Sequence, residues 1–257
     1  MCTRLALEWF VICGLSTSGT PAAAENHSGH TFDSKGVPIF YTEEGSGPTV
    51  LLVHGLYSSG QMNWALPGVT AALAKDHRVI AVDLRGHGRS GKPQAESAYG
   101  VEMVEDLVRL LDHLQIKKAD VVGYSMGGMI TMKLLVLHPD RVNSALLGGM
   151  GWLREGSGLQ EFWKHTGDRE KAGKTPSACP RSLGALAVTE AEVKGIKVPV
   201  EVVVGDRDPV KRMYVEPLQR IRPDWPVKFI PDAGHINAIT QKEFRDSIRE
   251  WLNARQC

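Results

Sequence analysis

The stretch Ala119-Asp120-Val121-Val122-Gly123-Tyr124-Ser125-Met126-Gly127-Gly128-Met129-Ile130-Thr131-Met132-Lys133-Leu134-Leu135-Val136-Leu137-His138-Pro139 decides the reading of this chain. Its centre, residues 123–127, has the form G-x-S-x-G. A short apolar run precedes it and stops abruptly at a glycine. A longer apolar run follows and is ended by His138-Pro139. Five residues of this form are common by chance, but strand, tight turn and helix in succession are what a nucleophile elbow requires. The glycines would let backbone and helix pass close to a serine held in a strained turn. Its hydroxyl would then stand at the C-terminal edge of a sheet, beside the positive end of a helix.

A hydrolytic serine needs a base, an acid that orients the base, and donors for an oxyanion. Downstream, Val203-Val204-Gly205-Asp206-Arg207-Asp208-Pro209 leaves an apolar run with two carboxylates, either of which is placed to serve as the acid. Further on, Phe229-Ile230-Pro231-Asp232-Ala233-Gly234-His235 ends another apolar run on a glycine and a histidine. Upstream, Val50-Leu51-Leu52-Val53-His54-Gly55-Leu56 reads as a strand closing on His-Gly. Between these lies the turn-rich loop Asp83-Leu84-Arg85-Gly86-His87-Gly88-Arg89-Ser90.

Serine, then acid, then histidine is the chain order of the α/β-hydrolases, not of the chymotrypsin or subtilisin families. On these motifs, the chain from about residue 36 to 252 resembles the α/β-hydrolase fold superfamily, and the loop from Asp83 to Ser90 is like that of its small esterase and lactonase-like members. The resemblance implies that Ser125 is the nucleophile and His235 the general base and acid. It selects Asp208, three residues after Gly205, as the orienting acid, and leaves Asp206 as a turn residue. It also implies that the backbone N–H groups of Leu56 and Met126 form the oxyanion hole. The implied fold is α/β: a mostly parallel central sheet flanked by helices, with a short helical lid.

Other residues point to no cofactor. His27 and His30 are spaced like a loose metal pair, but two ligands in a polar stretch make a poor site. His54 is read as shaping the oxyanion loop, and His87 as a solvated loop residue. His77, His113, His138 and His165 are read as surface or helix-end residues. There is no metal constellation, no G-x-x-x-x-G-K-[ST] phosphate loop and no G-x-G-x-x-G opening a helix. With 30 Lys+Arg against 29 Asp+Glu, the formal net charge of +1 gives no global field to attract nucleic acid or an acidic partner. The expected partner is a small-molecule ester or related substrate. A hydrophobic content of 42% over 257 residues suffices for one large core.

The N-terminus reads separately. Met1-Cys2-Thr3-Arg4 carries one positive charge, residues 5–15 are mostly apolar, and Ala22-Ala23-Ala24 offers small residues for cleavage. That layout is expected of a secretory signal over residues 1–24, with residues 25–257 as the mature domain in a secreted or periplasmic setting. The apolar stretch is too short for a stable span. Glu8 within it argues for the alternative, a cytoplasmic chain with an N-terminal extension. Ile12 before Cys13 does not fit a lipoprotein anchor. Cys179 and Cys257 would remain after cleavage, and two free thiols are expected in preference to a pair.

Alternation of apolar runs and helical patterns predicts strands over 39–42, 50–54, 78–83, 120–124, 144–148, 200–204 and 227–230. Helices are predicted over 64–75, 101–114, 126–137, 214–221 and 242–253. In the last, Phe244, Ile248, Trp251 and Leu252 share one face, which predicts core packing. From about 151 to 197 the strand signal stops; this is the expected lid insertion, with 187–194 as its last helix. Trp152, Phe162 and Trp163 within it, together with Tyr124, are candidate pocket residues, although lid aromatics equally serve to pack the lid.

The expected activity is hydrolysis of a small or medium carboxylic ester or lactone by a Ser125-Asp208-His235 triad through an acyl-enzyme. The same triad supports C–C bond hydrolysis or perhydrolysis. A non-catalytic binding protein that keeps the fold is the alternative from another class. Epoxide hydrolysis and dehalogenation are disfavoured, because relatives with those activities carry aspartate where Ser125 stands.

Overall fold

The computed structural model describes residues 29–166 and 175–255. The candidate signal over residues 1–24, together with His27, Cys2, Cys13 and Cys257, lies outside them. Among the described residues eight strands form one sheet in the order β1-β2-β4-β3-β5-β6-β7-β8. They are β1 (His30–Ser34), β2 (Val37–Glu44), β3 (Thr49–Val53), β4 (Arg78–Val82), β5 (Ala119–Tyr124), β6 (Val142–Gly148), β7 (Val200–Gly205) and β8 (Val227–Ile230). β2 runs antiparallel to both β1 and β4, and from β4 to β8 every neighbouring pair is parallel.

Both faces of the parallel part are covered, which is why its strands are unbroken apolar runs. Alternate residues enter opposite cores: Leu51 and Val53 one, Val50 and Leu52 the other; Val202 and Val204 one, Val203 the other. Helices α2 (Val101–His113) and α3 (Met126–Leu137) supply the first core. Helices α1 (Val69–Leu73) and α8 (Lys242–Asn253) supply the second. α3 and α8 occupy the predicted spans. In α8, Phe244, Ile248, Trp251 and Leu252 are all buried.

The structure departs from the sequence reading in identifiable places. Edge strand β1 was not anticipated, because in His-Thr-Phe-Asp-Ser only Phe32 is a large apolar residue, and only Phe32 and Ser34 are buried. The helix expected over 64–75 is two pieces, a wide turn over Gln61–Ala65 and then α1. Pro67 removes a donor and Gly68 takes φ 75°, so the helix cannot run through. The helix expected over 214–221 likewise starts as a wide turn over Lys211–Val215 before α7 (Glu216–Ile221). The segment expected to form the lid holds α4 (Gly158–Lys164), α5 (Ala178–Ser182) and α6 (Glu190–Gly195). α6 begins later than expected because Thr189 and Glu192 form a capping box, with Thr189 Oγ1 accepting Glu192 N–H at 3.1 Å and Glu192 Oε2 accepting Thr189 N–H at 2.6 Å.

Candidate active site

Ser125 sits between the last residue of β5 and the first of α3, at φ 54°, ψ −116°. A non-glycine residue there is strained, and its surroundings must hold it. Its N–H donates to Gly148 O at 2.8 Å. The two motif glycines are required by close approach. A Cβ on Gly123 would lie 2.3 Å from Gly127 O, and one on Gly127 would lie 2.1 Å from Val53 O. The turn therefore packs the start of α3 directly on the backbone of β3.

The structure brings Asp208 and His235 to this serine. Asp208 follows β7, is 2% exposed, and fixes one carboxylate oxygen by accepting Val210 N–H at 2.9 Å. Its other oxygen, Oδ2, lies 2.8 Å from His235 Nδ1, and His235 Nε2 lies 2.9 Å from Ser125 Oγ. A carboxylate only accepts, so Nδ1 carries the proton and Nε2 is left to accept from the serine hydroxyl. Asp206 is exposed and instead accepts Ala233 N–H at 3.3 Å, which ties the loops after β7 and β8 together.

Met126 follows Ser125 directly, and Leu56 follows Gly55 on the loop after β3. Met126 is the first residue of α3, so its N–H has no acceptor one turn earlier within the helix. The loop carrying Leu56 lies against Ser125: a Cβ on Gly55 would be 3.3 Å from Ser125 Cβ. Three contacts hold this loop; the sequence reading assigns His54 the role of shaping it but names no partner for it and gives no role to Asn63. Asn63 Oδ1 accepts Gly55 N–H at 3.2 Å. His54 Nδ1 donates to Gly55 O at 2.7 Å, and His54 Nε2 accepts Leu84 N–H at 3.0 Å. Arg85, next to Leu84, is locked to α2 by a buried bidentate pair with Asp106 at 2.5 and 2.6 Å. Asn63 has no motif signal at all. Leu84 and Arg85 sit in the loop already singled out, but their partners are distant in sequence.

His87 corrects the expectation of a solvated residue. It is 1% exposed, its ring packs edge-on against His54 at 5.1 Å, and Nδ1 lies 3.1 Å from Arg85 O. Burial lowers the His54 pKa from 6.5 to about 4; burial, and then the neighbouring His54, lowers that of His87 to about 3. Both rings are neutral at pH 7. His77, read as a surface or helix-end residue, is also buried.

The candidate pocket residues are placed as follows. Tyr124 is buried, and its hydroxyl donates to the backbone carbonyl of His235 at 2.5 Å. Trp152 and Trp163 are buried in the lid segment. Trp152 Nε1–H donates to Val188 O at 2.9 Å, and Trp163 Nε1–H to Tyr214 Oη at 3.1 Å. Phe162 is half-buried, edge-on to Trp163 at 5.4 Å. A cavity of about 100 Å³ lined by Phe40, Gln61, Asp83 and Arg89, among others, contains neither Ser125 nor His235. Cys179 is buried and forms no disulfide among the described residues. Among the described residues no helix is long and apolar enough to cross a membrane.

Comparison with known proteins is consistent with this geometry. The family described as alpha/beta hydrolase fold matches residues 48–167. Over 122 residues the chain is 42% identical to the dihydrolipoyllysine-residue acetyltransferase component of the acetoin cleaving system of Pseudomonas putida, covering 46% of this chain and 32% of that protein. Over 124 residues it is 36% identical to the 2-hydroxymuconate semialdehyde hydrolase of Pseudomonas sp. (strain CF600), covering 47% of this chain and 43% of that one. The chain thus spans less than half the length of these curated relatives. Among solved structures, an epoxide hydrolase from Vigna radiata superposes with a TM-score of 0.72 at 17% identity, covering 88% of this chain and 98% of that one, a likeness of fold.

Proposed function

We propose that this chain, which belongs to the α/β-hydrolase fold superfamily, is a serine hydrolase that cleaves small or medium carboxylic esters or lactones through an acyl-enzyme. The observation that carries the reading is the pair of hydrogen bonds at His235, 2.8 Å to Asp208 and 2.9 Å to Ser125.

In this mechanism Ser125 Oγ attacks the carbonyl carbon while its proton passes to His235 Nε2. The carbonyl π electrons move onto oxygen, where the N–H groups of Leu56 and Met126 stabilise the charge. Asp208 keeps Nδ1 protonated and stabilises the imidazolium. The tetrahedral species collapses, the ester C–O bond breaks, and Nε2–H protonates the departing alkoxide. Water then repeats the sequence on the acyl-enzyme, giving up a proton to Nε2 and releasing the acid and free Ser125.

A serine at this position disfavours epoxide opening. Attack by Oγ on an epoxide carbon would leave an alkyl ether, which has no carbonyl for water to attack, whereas a carboxylate nucleophile leaves a hydrolysable ester. The second reading, C–C bond hydrolysis, is supported by the partial match to 2-hydroxymuconate semialdehyde hydrolase. A p-nitrophenyl ester series of increasing acyl length, run beside a vinylogous 1,5-diketone, tests between them. Turnover of esters with stoichiometric loss of activity on labelling by an organophosphonate supports the proposal. Turnover of the diketone alone favours C–C hydrolysis, and turnover of neither with no labelling favours a binding protein. We also infer export, from the layout of residues 1–24.

A further inference from the structure

We propose that Tyr124 is a positioning residue, whose hydroxyl clamps the main chain of His235 and so holds the imidazole in line between Asp208 and Ser125. The proposal rests on the serine-hydrolase reading above and extends it.

His235 lies on the connection between β8 and α8, whose residues just after it face outward. Ile236 is 77% exposed, and Asn237 is exposed as well. The connection is pinned at its start, where Arg207 N–H donates to Ala233 O at 3.0 Å and Asp206 accepts Ala233 N–H. It is closed locally where Asn237 Oδ1 accepts Gly234 N–H at 2.8 Å. Besides the two hydrogen bonds of its ring, His235 is held through its main chain by the 2.5 Å hydrogen bond from Tyr124 Oη to the carbonyl oxygen. The residue before the candidate nucleophile thus grips the residue that carries the candidate base, across 111 positions of sequence.

The ring is held as firmly as the hydroxyl. It lies edge-on to Phe244 of α8 at 5.5 Å and tilted by 34° against the His235 ring at 5.7 Å. The slot that admits it exists because Gly148 and Gly149 follow one another at the end of β6. A Cβ on Gly148 would lie 2.8 Å from Tyr124 Cδ2, and one on Gly149 3.0 Å from Cζ. Burial, with Asp208 nearby, pushes the phenol pKa up, so the hydroxyl stays a donor across the working range. Displacement of a catalytic group by about 1 Å can cost 10²-fold in rate. A bond that sets the height of His235 over Ser125 therefore acts on kcat while contributing little to ground-state affinity.

The test compares the wild-type chain with Tyr124→Phe and with 4-aminophenylalanine at position 124, which restores a para donor. Turnover of p-nitrophenyl acetate is read together with the low-field proton resonance of His235 Nδ1–H in the hydrogen bond to Asp208, and with thermal melting. The proposal expects Tyr124→Phe to lower kcat about 10- to 100-fold, leave KM within about twofold, and broaden or shift the low-field proton. The amino variant should recover most of both. Unchanged kcat and an unchanged low-field proton in Tyr124→Phe overturn the proposal. Equal impairment in both variants, in step with lowered melting, also overturns it, because the ring would then serve only packing. If the wild-type chain turns over no ester, that reading fails, while the low-field proton still decides the role of Tyr124.

Discussion

His54 joins two strand ends: its Nε2 accepts the backbone N–H of Leu84 at 3.0 Å, while Nδ1–H is donated to Gly55 O at 2.7 Å. The bond accepted at Nε2 requires a neutral ring, because protonation there would set N–H against N–H, whereas the Nδ1–H bond to Gly55 O would survive protonation. Burial lowers the pKa from 6.5 to about 4 for His54 and to about 3 for His87. In the unfolded chain both rings take up protons near the ordinary value. Below it, the unfolded chain binds more protons than the folded one, so stability rises with pH through this window and falls as pH drops from about 6.5 toward 4. Each unit of separation between folded and unfolded pKa corresponds to about 1.4 kcal/mol. Urea denaturation at pH 7, 5.5 and 4.5 should show this loss, and His87→Asn should make the slope shallower. Constant stability across the series would contradict the buried neutral pair.

Ser125→Ala should reduce ester turnover by roughly 10⁶-fold, the scale of losing the nucleophile in a serine protease. Melting should stay close to wild type, because serine and alanine bear the same strain at φ 54°. Steady-state kinetics and a thermal melt check both halves. Near-normal turnover would exclude Ser125 as nucleophile.

The two carboxylates after β7 should separate cleanly. Asp208→Asn leaves the shape intact but removes the charge beside His235 Nδ1, and kcat should fall about 10⁴-fold. Asp206→Asn keeps an acceptor for Ala233 N–H and should cost no more than a few-fold. Greater damage from Asp206→Asn, with folding unchanged, would reassign the acid.

Gly127→Ala should destabilise the protein even though the added group is one methyl. The new Cβ would meet Val53 O at 2.1 Å, and neither helix nor strand backbone can yield cheaply. We expect a loss near 3 kcal/mol, the upper part of the usual overpacking range, read from the denaturant midpoint.

If residues 1–24 act as an export signal, mass spectrometry of the exported protein should find a chain beginning near Glu25. A cytoplasmic product retaining residues 5–15 would count against it.

Much of the fold is legible from local pattern. The apolar runs of β3, β4, β5 and β7 could be read because the sheet is covered on both faces, and α3 and α8 because apolar residues and stop signals mark their ends. Lid helices α4 and α5 were not predicted, since short helices carry too few turns for a periodic signal. The wide turns ahead of α1 and α7 escaped for a related reason: they continue a helical pattern while departing from helical hydrogen bonding.

What the sequence by itself determined is the set of chemical groups and their order. The elbow around Ser125 is specified by residues within a few positions of it, and the strands that deliver Asp208 and His235 announce themselves locally. The residues alone left Asp206 and Asp208 open and the family resemblance selected Asp208; only the tertiary structure showed that Asp208 meets His235, that His87 is buried against His54, and that Tyr124 grips the carbonyl of His235. Those outcomes depend on how loops far apart in the chain converge at one edge of the sheet. Neighbours in sequence set a strand or a turn, but the direction in which a loop side chain finally points is set by the packing it meets there.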